Sequence, residues 1–116
     1  THEGYMMANR IFSDGKAEGS ENITAVICAN DVLALGVMLS CKEHAVSIPE
    51  DLSVIGYDDV DFAPALSPSL TTVHQESYEI GKSAAMLLIT GESAVDDRHL
   101  SEVRLVVRQS IGPVPS

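Results

Sequence analysis

Two hydrophobic periods divide this chain. Ile23-Thr24-Ala25-Val26-Ile27-Cys28-Ala29 is an almost unbroken apolar, β-branched run, and Val54-Ile55-Gly56-Tyr57 is another run too short for a helix. Both read as buried strands of a parallel sheet, the first covered on both faces. Between them, residues 32–43 have helical character. Strand, helix, strand is a parallel crossover, which is right-handed by rule and brings both strands to the same carboxyl edge.

The remaining elements follow from local signals. Thr1 caps an opening helix that runs to about Phe12, with Glu3 in its first turn, Tyr5, Ala8, Ile11 and Phe12 on its buried face, and Gly15 ending it. Residues 14–22 read as a polar loop. Pro49 stops the second helix and imposes an extended approach to the strand at residues 53–57. Residues 60–70 form a proline-containing loop with one short helical turn, and residues 71–75 a brief strand. Residues 78–90 are helical, with Ile80, Ala84, Leu87 and Leu88 on one side and Gly91 as cap. A polar connection over residues 92–99 leads to a final strand at residues 103–108.

The second helix departs from the amphipathic pattern. Val32-Leu33-Ala34-Leu35-Gly36-Val37-Met38-Leu39 has no polar side chain on any face. A helix apolar all round is buried on both sides. A second layer from the same chain could cover it, but so short a chain has little to spare. A subunit interface is the preferred reading, with Leu35 and Met38 as contacts.

Candidate chemistry gathers where the strands end. Ligands of open α/β sheets sit at the carboxyl edge. One strand delivers Asn30-Asp31 there, and the next delivers Asp58-Asp59. Each aspartate could simply serve a turn or a helix start. Asn30 is suited to cap the helix through its backbone turn while offering its carboxamide outward. An amide pairs donor and acceptor with vicinal hydroxyls, which suits a sugar. Enzymatic chemistry would rest on Asp58 and Asp59 alone, as an acid/base or metal pair. His2, His44, His74 and His99 are scattered singly, and Cys28 and Cys41 have no metal or redox spacing. No metal, cofactor or catalysis is expected, and both thiols read as buried and reduced in a cytoplasmic protein.

Composition narrows the partners. With 116 residues, 45% hydrophobic and 21% charged, the chain matches one globular domain with no membrane-spanning stretch. A net charge of −10, from 17 acidic and 7 basic residues, excludes a phosphate-gripping or anionic-membrane surface on this segment. The chain opens without a start methionine or an apolar leader, and is expected to be part of something longer.

Four blocks together resemble one family. They are Ala29-Asn30-Asp31-Val32-Leu33-Ala34-Leu35-Gly36, the segment Ile48-Pro49-Glu50-Asp51-Leu52-Ser53-Val54-Ile55-Gly56-Tyr57-Asp58-Asp59, then Ser67-Pro68-Ser69-Leu70-Thr71-Thr72-Val73-His74-Gln75, and Val107-Arg108-Gln109-Ser110. In order and spacing they look like the effector-binding core of the lac repressor (LacI/GalR) family of transcription regulators, over residues 4–110. The resemblance implies a periplasmic binding protein-like α/β fold of type I: a three-layer parallel sheet with flanking helices, in two subdomains hinged around a cleft. It implies that residues 1–74 and 100–112 belong to the second subdomain and residues 75–99 to the first. A helix-turn-helix DNA-binding domain, the rest of the first subdomain and the opening strand of the second would lie upstream of Thr1.

By the same resemblance, Asp58 matches the aspartate that hydrogen-bonds effector hydroxyls. Asn30 matches an asparagine of sugar-responsive members, and Gln75 lies on the hinge side of the cleft. Leu35 and Leu66 match dimer-interface positions. The implied role is a sensor for a small effector, a carbohydrate by the presence of Asn30, within a homodimeric regulator that meets DNA only through the upstream domain. A periplasmic sugar-binding transport protein is the alternative. With its upstream partner absent, the apolar face of the helix at residues 78–90 is expected to be covered by another copy or to lack order.

Overall fold

In the computed structural model, residues 1–13, 23–91 and 102–116 are described. Helix α1 (His2–Ser13) precedes strand β1 (Ala25–Ile27), helix α2 (Asp31–Glu43) and strand β2 (Ser53–Asp58). A single 3-10 turn, Ala63–Ala65, leads to strand β3 (Thr71–Gln75), helix α3 (Ser77–Thr90) and strand β4 (Val103–Val106). The sheet order is β1-β2-β3-β4. The expected parallel crossover is present, with Val26 beside Val54 and Ile55 beside Thr71.

β4 differs from the all-parallel expectation by running antiparallel to β3. The chain leaves the sheet at Gln75, and the returning Val103 pairs with that same residue. A strand that re-enters at the end where its neighbour left must run the other way. Gly15, the expected end of α1, lies outside the described residues.

Much of the core lies between α2 and one sheet face, around Ala34, Val37, Cys41, Val54 and Leu70. α1 lies across α2 at a glycine contact. A Cβ on Gly4 would overlap the Leu33 carbonyl, and one on Gly36 would overlap the Thr1 carbonyl and crowd the Tyr5 nitrogen. Without side chains at these points the two backbones approach directly. α1 thus supplies part of the second layer that so short a chain was not expected to provide. Val32 and Leu39 remain exposed on α2.

Among the described residues, the opposite sheet face stays open. Ile27, expected to be covered, is 79% exposed, because α1 and α2 pack only against the face carrying Val26 and Cys28. Ile27 lies beside Ile55, and Leu105, also exposed, lies beside Val73 on the same face.

α3 is ordered, so lack of order, one of the two expectations for it, does not hold. It is a regular helix that buries no residue, with Leu88 87% exposed, in a molecule 55 × 26 × 25 Å along its principal axes. Local interactions hold it: Gly91 adopts the left-handed cap conformation and donates its N–H to the Leu87 carbonyl.

The two kinds of glycine should respond oppositely to alanine. Gly36→Ala forces α1 off α2 and should cost about 1–3 kcal/mol. Gly81→Ala, on α3 with open space around it, should gain roughly 0.5–1 kcal/mol. Thermal unfolding of the two variants checks both signs.

Candidate functional site

The carboxyl edge of the sheet is built from the turn that follows β2. Asp58 and Asp59 both have positive φ, 112° and 56°. Such a backbone costs a non-glycine residue about 1–3 kcal/mol and persists where its surroundings impose it. Here the surroundings are specific. Asp59 Oδ1 accepts from Arg108 Nη2 at 2.7 Å, and Asp59 Oδ2 lies 2.9 Å from His74 Nδ1, whose proton it can accept. The next amide, Val60, donates to Asp31 Oδ2 at 2.9 Å.

Asp31 is fully buried at the start of α2, and its Oδ1 accepts from the Thr72 hydroxyl at 2.6 Å. A side chain at Gly56 would occupy the space of that oxygen. The missing Cβ at residue 56 is therefore what lets the carboxylate reach across β2 to β3. Beneath the turn, Ser110 donates to the Val54 carbonyl at 2.6 Å and accepts from the Thr71 amide at 2.8 Å. This ties the last segment of the chain to β2 and β3.

Burial pushes the Asp59 carboxyl up. Hydrogen bonds from Arg108 and His74, with the positive charge they bring, outweigh it and hold the group below the usual carboxylate range. Both Asp59 oxygens are engaged, so Asp58 and Asp59 do not form an open acid/base or metal pair. Burial is the main cause that pushes the Cys28 and Cys41 thiols up to about 11. Neither thiol is poised as a nucleophile.

Two of the three expected ligand contacts meet. Gln75 Nε2 donates to Asp58 Oδ1 at 3.0 Å, and both residues are half-buried at the edge. Asn30 lies at the same edge, but it caps α2 through its side chain: Oδ1 accepts from the Leu33 amide at 2.8 Å. The carboxamide expected to face outward therefore has its acceptor committed to the helix, leaving the Nδ2 donor for other use. Arg108, His74, Thr72 and the reach of Asp31 went unread in the sequence. The signal was a basic residue in the Val107–Ser110 block and a histidine two positions from a buried threonine, neither of which is periodic.

The expected interface residues divide. Leu35 and Leu66 are half-buried beside a hollow of about 300 Å³ that Leu39, Ile48 and Pro68 also line. Met38 lines it too, but at 8% exposure it is a core residue packed within the chain. Met38 thus forms the floor of the groove. Neither this hollow nor the apolar one of about 230 Å³ between α1 and β1 is lined by Asn30, Asp58 or Gln75.

The model of the periplasmic binding protein-like domain matches residues 2–111. The chain belongs to this family. LacI-type regulators are among its relatives in both sequence and structure. The HTH-type transcriptional repressor PurR of Vibrio atlanticus (strain LGP32) is 48% identical over 79 residues, covering 68% of this chain and 24% of the repressor. The HTH-type transcriptional repressor CytR of Escherichia coli (strain K12) is 39% identical over 95 residues, covering 79% and 28%. The lac repressor dimer bound to operator and the anti-inducer ONPF superposes with a TM-score of 0.80 at 30% identity, over 93% of this chain and 37% of that one. A LacI family transcriptional regulator from Lactobacillus casei with bound sucrose gives 0.74 at 33%, over 93% and 39%. This periplasmic binding protein-like domain therefore spans about a quarter of the curated relatives it matches. It is an effector-domain segment of LacI type.

Because the Asp59 carboxyl titrates below its unfolded value of about 4, its contribution to stability is complete above that pH and is lost as pH falls through the depressed value. Urea unfolding of the chain and of Asp59→Asn, followed from roughly pH 7 to roughly pH 2, should show a stability gap that closes only on the acid side. A gap that stays constant would assign the loss to shape rather than charge.

Proposed function

We propose that this chain is the part of a LacI-type regulator that senses a small effector, a carbohydrate, against Asp58 and Gln75 at the carboxyl edge of the sheet. The observation that carries the reading is the Asp58–Gln75 pair, held at 3.0 Å in a LacI-type domain. A carboxylate beside a carboxamide offers acceptors and donors in the arrangement that ring hydroxyls need. Asn30 adds a donor through Nδ2. The sucrose and glucose bound by the Lactobacillus casei regulator in two structures support a sugar. The repressor relatives favour this over a periplasmic transport protein.

In this reading residues 1–74 and 100–112 form one subdomain, and residues 75–99 belong to the other. The unburied α3 supports that division. Effector held between the subdomains favours one relative orientation, and the regulator responds by population shift. The groove at Leu35, Leu66 and Met38 joins two copies. DNA is met through a separate helix-turn-helix domain of the longer protein, consistent with the net charge of −10 here. The protein acts in the cytoplasm and carries out no catalysis. Among the described residues, no helix is long and apolar enough to cross a membrane.

Calorimetric titration of the regulator with a panel of sugars and nucleobases should give heat from one sugar. Asp58→Ala should weaken it roughly 10- to 100-fold, the loss of a hydrogen bond to a charged group. Heat from a nucleobase alone would exclude the carbohydrate reading, and an unchanged Asp58→Ala isotherm would exclude Asp58. In sedimentation experiments Leu35→Glu should convert the dimer to monomer by placing a charge in an apolar groove. A persistent dimer would move the interface elsewhere.

A further inference from the structure

Asp58 contributes little to its own placement. Its carboxylate accepts one side-chain hydrogen bond among the described residues, from Gln75. The turn that aims it is instead gripped one residue later, at Asp59, from two separate parts of the chain. Arg108 comes from the far end of the sequence, and its guanidinium is fixed before it meets Asp59. Nη1 donates to the Leu70 carbonyl at 2.8 Å, and the Arg108 amide donates to the Thr71 hydroxyl at 2.8 Å. His74 comes from β3, directly beside Asp58 in register and adjacent to Gln75 in sequence. Its other ring nitrogen lies 3.3 Å from Glu76 Oε1.

We propose that Arg108 and His74 are positioning residues for Asp58: they fix the direction of a ligand-facing carboxylate that neither of them touches. One peptide unit separates the gripped carboxylate from the aimed one, and both residues have left-handed backbone. A shift at Asp59 therefore has to rotate Asp58. Arginine suits the post because its planar fork bonds a carbonyl and a carboxylate at once, which a lysine point charge does not reproduce. Histidine suits it because one ring side reaches Asp59 while the backbone stays in the β3 ladder that presents Gln75. The inference rests on the reading of Asp58 as an effector contact.

Amide NMR spectra of the ligand-free chain test it, with thermal unfolding recorded in parallel. Arg108→Gln should displace the Asp58 backbone signal and the Gln75 side-chain amide signals, with Arg108→Lys returning them part of the way. Ser110→Ala serves as the control. It removes a buried hydroxyl that ties β2 to β3 without touching the turn, so it should lower the unfolding temperature and leave those signals in place. If Arg108→Gln lowers stability and leaves the Asp58 and Gln75 signals as they are in Ser110→Ala, the residue is structural only and the proposal is overturned. Should Arg108→Gln fail to fold, His74→Gln carries the same comparison at a more accessible side chain.

With sucrose as probe, the same Arg108→Gln change should weaken binding at least tenfold, with Arg108→Lys intermediate. A wild-type protein indifferent to every sugar overturns the effector reading, whereas unmoved ligand-free signals overturn the positioning. The two failures are thereby distinct.

Discussion

A single buried carboxylate holds the architecture of the sheet edge. Asp31 is shut away from water, and an ionised carboxyl there is tolerable only if its oxygens are satisfied. Three elements supply what it needs. The first turn of α2 provides a favourable dipole, Thr72 of β3 a hydroxyl, and the turn after β2 the Val60 amide. The same bonds therefore orient the helix against the sheet, fix the spacing of β2 and β3, and bend the chain where Asp58 and Asp59 emerge. Gly56 is the condition for all of it, since any side chain there would collide with the carboxylate.

Some of this was legible in the residue pattern and some was not, for a physical reason. Periodicity and end signals describe contacts within a few residues, and they found α1, α2, β2, β3 and α3, with the Gly91 cap. The strand-helix-strand order also predicted that Asn30 and Asp58 share an edge. What escaped were bonds between distant residues of no shared period. Asp31 meets Thr72 across 41 positions and Asp59 meets Arg108 across 49. Asp31 read only as a first-turn acid, because from local sequence that role is sufficient.

The apolar character of α2 shows the same limit from the other side. All-round apolarity signalled cover beyond the sheet, but it could not say what supplies it. Part of the cover is α1, through a contact visible only once Gly4 and Gly36 face each other. Elsewhere the helix borders the groove at Leu35 and Leu66, with Met38 at its floor. The sheet face at Ile27 and Leu105 is apolar beyond anything α1 and α2 cover. An apolar strand pattern reports the cover a sequence was made for, which need not come from the residues at hand.

The two aspartates at the edge illustrate how neighbouring identical groups come to play different parts. Asp59 has an ion pair, a histidine and a depressed titration, all of which fix it as a charge serving the fold. Among the described residues, the Asp58 carboxylate has one neutral side-chain partner, Gln75, whose amide still has a second hydrogen to give. A carboxylate that is rigidly aimed yet lightly bonded has lone pairs free for an incoming donor, and its direction is settled before that donor arrives. Preorganisation of that kind lowers the ordering that binding would otherwise require. The strain of two left-handed residues is thus met by the bonds at Asp59, while the Asp58 carboxylate keeps lone pairs open.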